Sequence, residues 1–217
     1  EIKHYVTRLV TAKGQDRWIG INARVALDDG SAVLGIRGTA RDITEEHLAS
    51  QRIEHLALHD SLTDLPNRLC LQRRIESALQ SGGVGALLFL DIDHFKDMNE
   101  RFGHVTGDRI LAAFARRVRG ALRTMDSVNS NGLSSAMGRV GSEEFIIVLP
   151  LTSLRGALRS AERIRKAIVR RPFEGLHQVT VSIGIAELRP GETVSTLIDR
   201  ADQALYGAKH AGRNRVH

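Results

Sequence analysis

The sequence predicts an α+β chain: a small, largely antiparallel sheet with helices packed on it. Three observations lead there. From Arg68 onward, stretches with helical apolar spacing alternate with short apolar runs of strand character. One of these, "MGRVGSEEFIIVLP" from Met137 to Pro150, turns back through a glycine-containing acidic tip and reads as a hairpin. Residues 4–44, in contrast, have the texture of antiparallel β with no helix among them.

Taken in order, "HYVTRLVT" and "RWIGINARVALD" are strand-like, and "AVLGIRGTARDIT" follows a "DDGS" turn. Three strands without a covering helix bury little, so residues 1–44 read as the tail end of a larger sensory domain. Residues 45–59 form a connecting helix, with Leu48, Ile53, Leu56 and Leu58 spaced to pair with a second copy. "DSLTDLPNR", with Pro66 and Asn67, is a polar joint, and residues 60–217 form the main domain. Within it, "LCLQRRIESALQ" carries Leu71, Ile75 and Leu79 on one helical stripe, and "ALLFLDID" is a buried strand. "HFKDMNERF" and "DRILAAFARRVRGALR" read as helices separated by a glycine loop, "GHVTGD". After the hairpin, "SLRGALRSAERIRKAIVRR" turns Leu154, Leu158, Ala161, Ile164 and Ile168 inward. "HQVTVSIGIAEL" is a further strand, and "TVSTLIDRADQALYGAKHAG" is a last helix with a glycine cap.

The 217 residues leave room for one large domain, or one domain and a fragment. Hydrophobic content of 42% and charged content of 26% are ordinary for a soluble globular chain. The longest apolar run, around "GALLFLDI", falls far short of the ~20 residues that span a bilayer, and no signal peptide is visible. A single cysteine, Cys70, excludes an intrachain disulfide and fits a reducing cytoplasm. The net charge of +6 favours an anionic partner. Its arginines, however, recur along helical stretches without interleaved aromatics, which argues against nucleic acid and leaves a nucleotide or a membrane surface.

Asp91 and Asp93 close an apolar strand, and residues two apart on a strand share a face. A hard divalent cation needs a few carboxylate oxygens plus phosphate or water. Glu143 or Glu144, on the hairpin tip, is the natural second contributor, the alternative for the aspartates being to cap the helix that starts near His94. That helix start suits a phosphate, with Lys96 adding a full charge. Asn99 and Asp108 are residue types that read a purine edge, or else an ordinary helix-surface Asn and an N-cap Asp. Lys209 and Arg213, four apart around a glycine, would clamp phosphate oxygens or form a solvated turn. These residues reach a metal-dependent enzyme or binder of a nucleoside triphosphate, with the base unspecified.

Together "DSLTDLPNR", "FLDIDHFKDMNERFGHVTGD", "GRVGSEEF", "VSIGIA" and "ADQALYGAKHAGRNRV" resemble the GGDEF family, the diguanylate cyclases, from about Asp60 to the end of the chain. The segment ending in "GTARDITEE" looks like the last strands of a PAS domain and its signalling helix. The resemblance implies a palm-like fold and a homodimer in which two GTP condense to cyclic di-GMP, a bacterial second messenger, and pyrophosphate. It implies that Asp91 and Glu143, with the Ile92 carbonyl, hold Mg²⁺ or Mn²⁺, and that Glu144 supports the metal centre. Phe95 and Lys96 match positions that bind the triphosphate, Lys209 and Arg213 those that clamp it, and Asn99 and Asp108 those that read guanine.

Two departures matter. The family usually carries two glycines where this chain has Gly141 and Ser142. A non-glycine residue held left-handed costs ~1–2 kcal/mol, so Ser142 is read as a brake on turnover, not as its loss. Its hydroxyl is also able to donate to a phosphate oxygen. Second, "RTMD" resembles the family's product-inhibition motif, with Arg123 and Asp126 as the gripping pair, but an inserted "NSNGLSSAM" separates it from the signature. Against an active cyclase stands a degenerate domain that binds GTP or cyclic di-GMP and regulates an attached domain, such as a downstream phosphodiesterase. The expected setting is the cytoplasm, with membrane attachment outside this segment.

Overall fold

The computed structural model describes residues 2–80, 84–126, 136–173 and 178–217. They fall into two compact units, 1–57 and 58–217. The first is an antiparallel meander of β1 (Ile2–Val10), β2 (Asp16–Leu27) and β3 (Val33–Asp42), followed by helix α1 (Thr44–Leu58). Asp28 builds the β2–β3 turn by accepting from the amides of Gly30 and Ala32 at 2.9 and 2.8 Å. Val33, Leu34 and Ile36 remain exposed, as do Leu48, Ile53 and Leu56 of α1.

The second unit is built on a four-stranded antiparallel sheet, ordered β5-β6-β4-β7. Its elements are α2 (Arg68–Gln80), β4 (Gly85–Ile92), α3 (Phe95–Phe102), α4 (His104–Asp126), β5 (Ala136–Arg139), β6 (Glu144–Pro150), α5 (Leu154–Val169), β7 (Val181–Glu187) and α6 (Val194–His210). Every residue of β4 is buried, as an apolar strand between two neighbours and two helical layers should be. Alternation divides the core. Leu88, Leu90 and Ile92 face Phe114, Phe145 and Ile164, whereas Leu87 and Phe89 face Leu71, Ile75, Leu197 and Leu205 of α2 and α6. Asp91 therefore lies on the α2/α6 side.

Two expectations are corrected. The predicted loop "GHVTGD" contracts to one residue: Gly103, at φ 80°, ends α3, and its carbonyl already accepts from the amides of Thr106 and Gly107 in α4. On α5 the inward stripe is Ala157, Ala161, Ile164 and Ile168, and Leu154 and Leu158 are each 41% exposed. Small residues let the α5 backbone approach the sheet, and the two leucines fall to the flank of that stripe. Arg123 and Asp126 belong to the last turn of α4, but their side chains and residues 129–135 of the inserted stretch lie outside the described residues; its last two residues, Ala136 and Met137, are not loop but the buried start of β5.

Beyond α6 the chain forms a Schellman closure. The Gly212 amide donates to the Lys209 carbonyl and the Arg213 amide to the Ala208 carbonyl, with Gly212 left-handed at φ 111°. Arg213 and Asn214 continue at φ 59° and 46°. Val216 then bridges parallel to Ile183, adding a short strand beside β7.

Candidate active site

The end of β4 and the tip of the β5–β6 hairpin meet by strand register. Asp91 is paired with Glu144, and the Ile92 amide donates to the Glu143 carbonyl at 3.3 Å. The three acids thus share one corner. Asp91 is buried, and its carboxyl is pushed above the usual range by that burial, with the nearby Asp93 charge adding to it and Lys209 opposing it. Burial likewise raises Glu143, reinforced by Asp91 and Glu144, and raises Glu144, reinforced by Asp91. The corner is short of positive charge.

One cation partly answers it. The Lys209 ammonium, at the end of α6, sits 2.7 Å from Asp91 Oδ2. Arg213 lies close enough for its charge to act on Asp91, and is itself exposed. Lys96 extends into solvent at the start of α3, its side chain 85% exposed, with only a loose 3.8 Å contact to Glu100. Phe95 turns its ring into the core, so what it presents outward is backbone. No side chain caps that helix start, where His94 is left-handed. Asn99 and Asp108 come to the α3–α4 junction: Asn99 packs on Gly107, where a Cβ would overlap its Oδ1, and Asp108 is the next residue. Asn99 Oδ1 is buried and has no hydrogen-bond partner. It is an acceptor awaiting a donor.

The signature turn is held from behind. Arg139 donates through Nε to the Gly141 carbonyl at 3.1 Å and through Nη2 to the Ser142 carbonyl at 2.7 Å. Its Nη1 meets both oxygens of Asp60, at 3.2 and 3.1 Å. Neither Gly141 nor Ser142 is left-handed, so the anticipated strain at Ser142 is absent. At Gly141 the constraint is proximity instead: a Cβ there would meet the Glu144 carboxylate, whose flexible end would have to move aside.

Asp93 has a different place from Asp91. Its carboxylate is 3% exposed and accepts from Thr180 Oγ1 at 2.6 Å, Ser182 Oγ at 2.7 Å and the Asn214 amide at 3.0 Å. It caps no helix. Asp60, Arg139 and the partners of Asp93 went unread in the sequence, and only the motifs containing them stood out. A cavity of about 410 Å³ adjoins the corner on the α2/α6 side, with Arg68, Phe89, Glu144 and Asp202 among its lining.

The donor set suits a hard divalent cation. It offers carboxylates of Asp91 and Glu143, the Ile92 carbonyl, excess negative charge, and an ammonium where a cation would sit. Among the described residues no group of three or more His, Cys, Asp or Glu side chains is placed to hold a metal alone.

The family model described as "Diguanylate cyclase, GGDEF domain" matches residues 57–215. The chain belongs to the GGDEF family. It is 41% identical over 177 residues to diguanylate cyclase DgcP of Pseudomonas aeruginosa, covering 78% of this chain and 25% of that protein. It is 39% identical over 179 residues to diguanylate cyclase DgcM of Escherichia coli, covering 81% and 42%. This GGDEF chain therefore spans less than half the length of those two relatives. Among solved structures, the coiled coil and GGDEF domain of DgcB from Caulobacter crescentus, in complex with c-di-GMP, superposes with TM-score 0.67 at 33% identity, covering 79% of this chain and 90% of that one. The α+β, palm-like architecture is that of its GGDEF neighbours. Among the described residues no helix is long and apolar enough to cross a membrane.

Proposed function

We propose that this GGDEF domain is an active diguanylate cyclase, condensing two GTP into cyclic di-GMP and pyrophosphate as a homodimer. The observation that carries the reading is the Asp91–Glu143–Glu144 corner with the Lys209 ammonium 2.7 Å from Asp91. Its acids are arranged for a cation, and its lysine is available for a triphosphate. Asp91, Glu143 and the Ile92 carbonyl would hold Mg²⁺ or Mn²⁺, with Glu144 supporting them. Bound there, the ion would polarise phosphate and lower the proton affinity of the attacking hydroxyl.

The chain's own residues orient the nucleotide. Backbone N–H groups at the start of α3, from Phe95, and the Lys96 ammonium face the phosphates. Lys209 shifts from Asp91 to the triphosphate and is joined there by Arg213. Asn99 Oδ1, without a partner in the free protein, accepts from guanine, and Asp108 accepts beside it. Gly141 and Ser142 let the turn approach the phosphates, and the Ser142 hydroxyl donates to them. Each 3′-hydroxyl attacks the α-phosphate of the GTP on the other subunit, and pyrophosphate leaves. One subunit supplies half a site, so activity depends on dimerisation. Residues 1–44, the strands of the first unit, would belong to a PAS sensor whose signalling helix sets that dimer on the cytoplasmic side. Arg123 and Asp126 would bind product to inhibit.

The absence of left-handed strain at Ser142 favours this reading over a degenerate regulatory domain. The test is to incubate the purified chain with GTP and Mg²⁺ at high protein concentration and assay cyclic di-GMP by chromatography and mass. Product that disappears in Glu143→Gln supports a cyclase. No product, with GTP or cyclic di-GMP still bound, overturns it in favour of the regulatory module.

A further inference from the structure

We infer that Asp93 is a positioning residue, not a metal ligand: it fastens the turn that carries Arg213 and follows Lys209, and so sets the phosphate clamp. This rests on the cyclase reading for what the clamp grips, and on geometry alone for how the clamp is held.

A carboxylate that ligates a metal must keep a lone pair turned toward it. Asp93 is 3% exposed and already serves three donors, Thr180 Oγ1, Ser182 Oγ and the Asn214 amide. The first two project from the segment leading into β7 and from β7 itself, which is paired with β4, so they fix the carboxylate from the sheet. The third comes from 121 positions further along the chain. Asp93 is thereby a bridge between the sheet and the tail.

What it holds needs holding. Arg213 and Asn214 are consecutive non-glycine residues with positive φ, at 59° and 46°. L side chains adopt that region only where surroundings impose it. The imposing contacts are visible on both sides of Asn214. Its amide is taken by Asp93, and its side-chain Oδ1 accepts from Arg165 Nη1 at 2.9 Å, with Arg165 held in turn by Glu162. Downstream, the Ile183 amide donates to the Arg215 carbonyl at 2.9 Å and the His217 amide to the Ile183 carbonyl at 2.9 Å, locking the tail beside β7. Upstream, the Schellman closure runs straight into Lys209. Released from Asp93, the turn is free to leave the left-handed region, and Arg213 moves with it.

The test pairs kinetics with a readout that needs no turnover. In Asp93→Asn, the amide NH₂ replaces one acceptor oxygen and weakens the hold on Asn214. The expected result is a KM for GTP raised about tenfold with kcat changed less than about threefold, the pattern of lost ground-state binding. The Mg²⁺ concentration for half-maximal activity at saturating GTP should stay unchanged. Amide hydrogen exchange of residues 212–217 should accelerate in the free protein. A shifted Mg²⁺ midpoint with unchanged exchange would make Asp93 a metal ligand and overturn the inference. So would unchanged exchange by itself.

Arg165→Met guards against a variant that fails to fold, because it loosens the same turn from α5 without touching the acids. It should raise KM about threefold and accelerate exchange over the same residues. If the wild-type chain makes no product, the cyclase reading fails, while the exchange of both variants still decides whether Asp93 holds the tail.

Discussion

Arg139 and Asp60 lie 79 positions apart in sequence and meet with both carboxylate oxygens 3.1–3.2 Å from one guanidinium nitrogen. The same guanidinium donates to the carbonyls of Gly141 and Ser142. Asp60 opens the second unit, and Gly141 and Ser142 form the signature turn. One side chain therefore ties the domain's entry to its acidic corner. Their side chains are 14% and 22% exposed, so the pair is only weakly screened. Arg139→Met should cost about 2 kcal/mol, the scale of charged hydrogen bonds lost from a shielded site. A thermal melt should record a Tm lower by roughly 4–8 °C for a domain of this size. Cyclase activity should fall further than stability accounts for at 25 °C, because the turn loses its brace.

Acid should reveal the same pair. Burial pushes Asp60 up, but the Thr63 hydroxyl and amide together with Arg139 outweigh it, and its carboxyl ends below the ordinary value. A depressed folded pKa means stability present above the unfolded value of about 3.9 and lost as pH falls through the folded one. Urea midpoints from pH 6 down to 2.5 should show wild type above Asp60→Asn by a constant margin at the upper end. The two curves should converge in acid.

The acidic corner carries the opposite sign. Glu143 is raised first by burial and then by Asp91 and Glu144, so its ionised form is less favoured folded than unfolded. That penalty exists above the unfolded pKa and disappears as the group protonates. Glu143→Gln should therefore raise the Tm of the free protein at neutral pH. On the cyclase reading, in which Glu143 would hold the ion, activity should fall by about 100-fold or more, the scale of several kcal/mol of barrier lowering.

Ser142 and Gly141 should separate cleanly. With no positive φ to relieve at Ser142, Ser142→Gly should lower kcat by no more than about tenfold, the low end for one hydrogen bond lost to a charged phosphate. Gly141→Ala, by contrast, places a Cβ against the Glu144 carboxylate and should depress kcat strongly. Steady-state assays on the two variants side by side decide it.

The parts legible in the sequence were those written in local periodicity. An apolar strand closed by Asp91, a hairpin with acids at its tip, and a helix ending at Gly212 follow from spacing alone. Asp93 was ambiguous because its partners Thr180, Ser182 and Asn214 lie 87, 89 and 121 positions away, and periodicity carries no pairing over that range. Arg139 was passed over for the same reason. "GHVTGD" reads as a loop because glycine disfavours helix interiors. Gly107 is nonetheless helical, and it supplies the space that Asn99 occupies. Hydrophobicity points Leu154 and Leu158 inward, but α5 seats its alanines, a preference for close backbone approach that hydropathy does not encode.

The 2.7 Å contact between Lys209 and Asp91 gives the acidic corner the logic of a conjunction. On the cyclase reading, a divalent ion arriving alone would have to displace that ammonium into solvent, and a nucleotide arriving alone would draw it away and leave a buried carboxylate bare. With both present the charges would trade places, Asp91 holding the ion and Lys209 the phosphate. Occupancy should then rise with the product of the two concentrations, and either ligand titrated singly should bind far more weakly than in the other's presence.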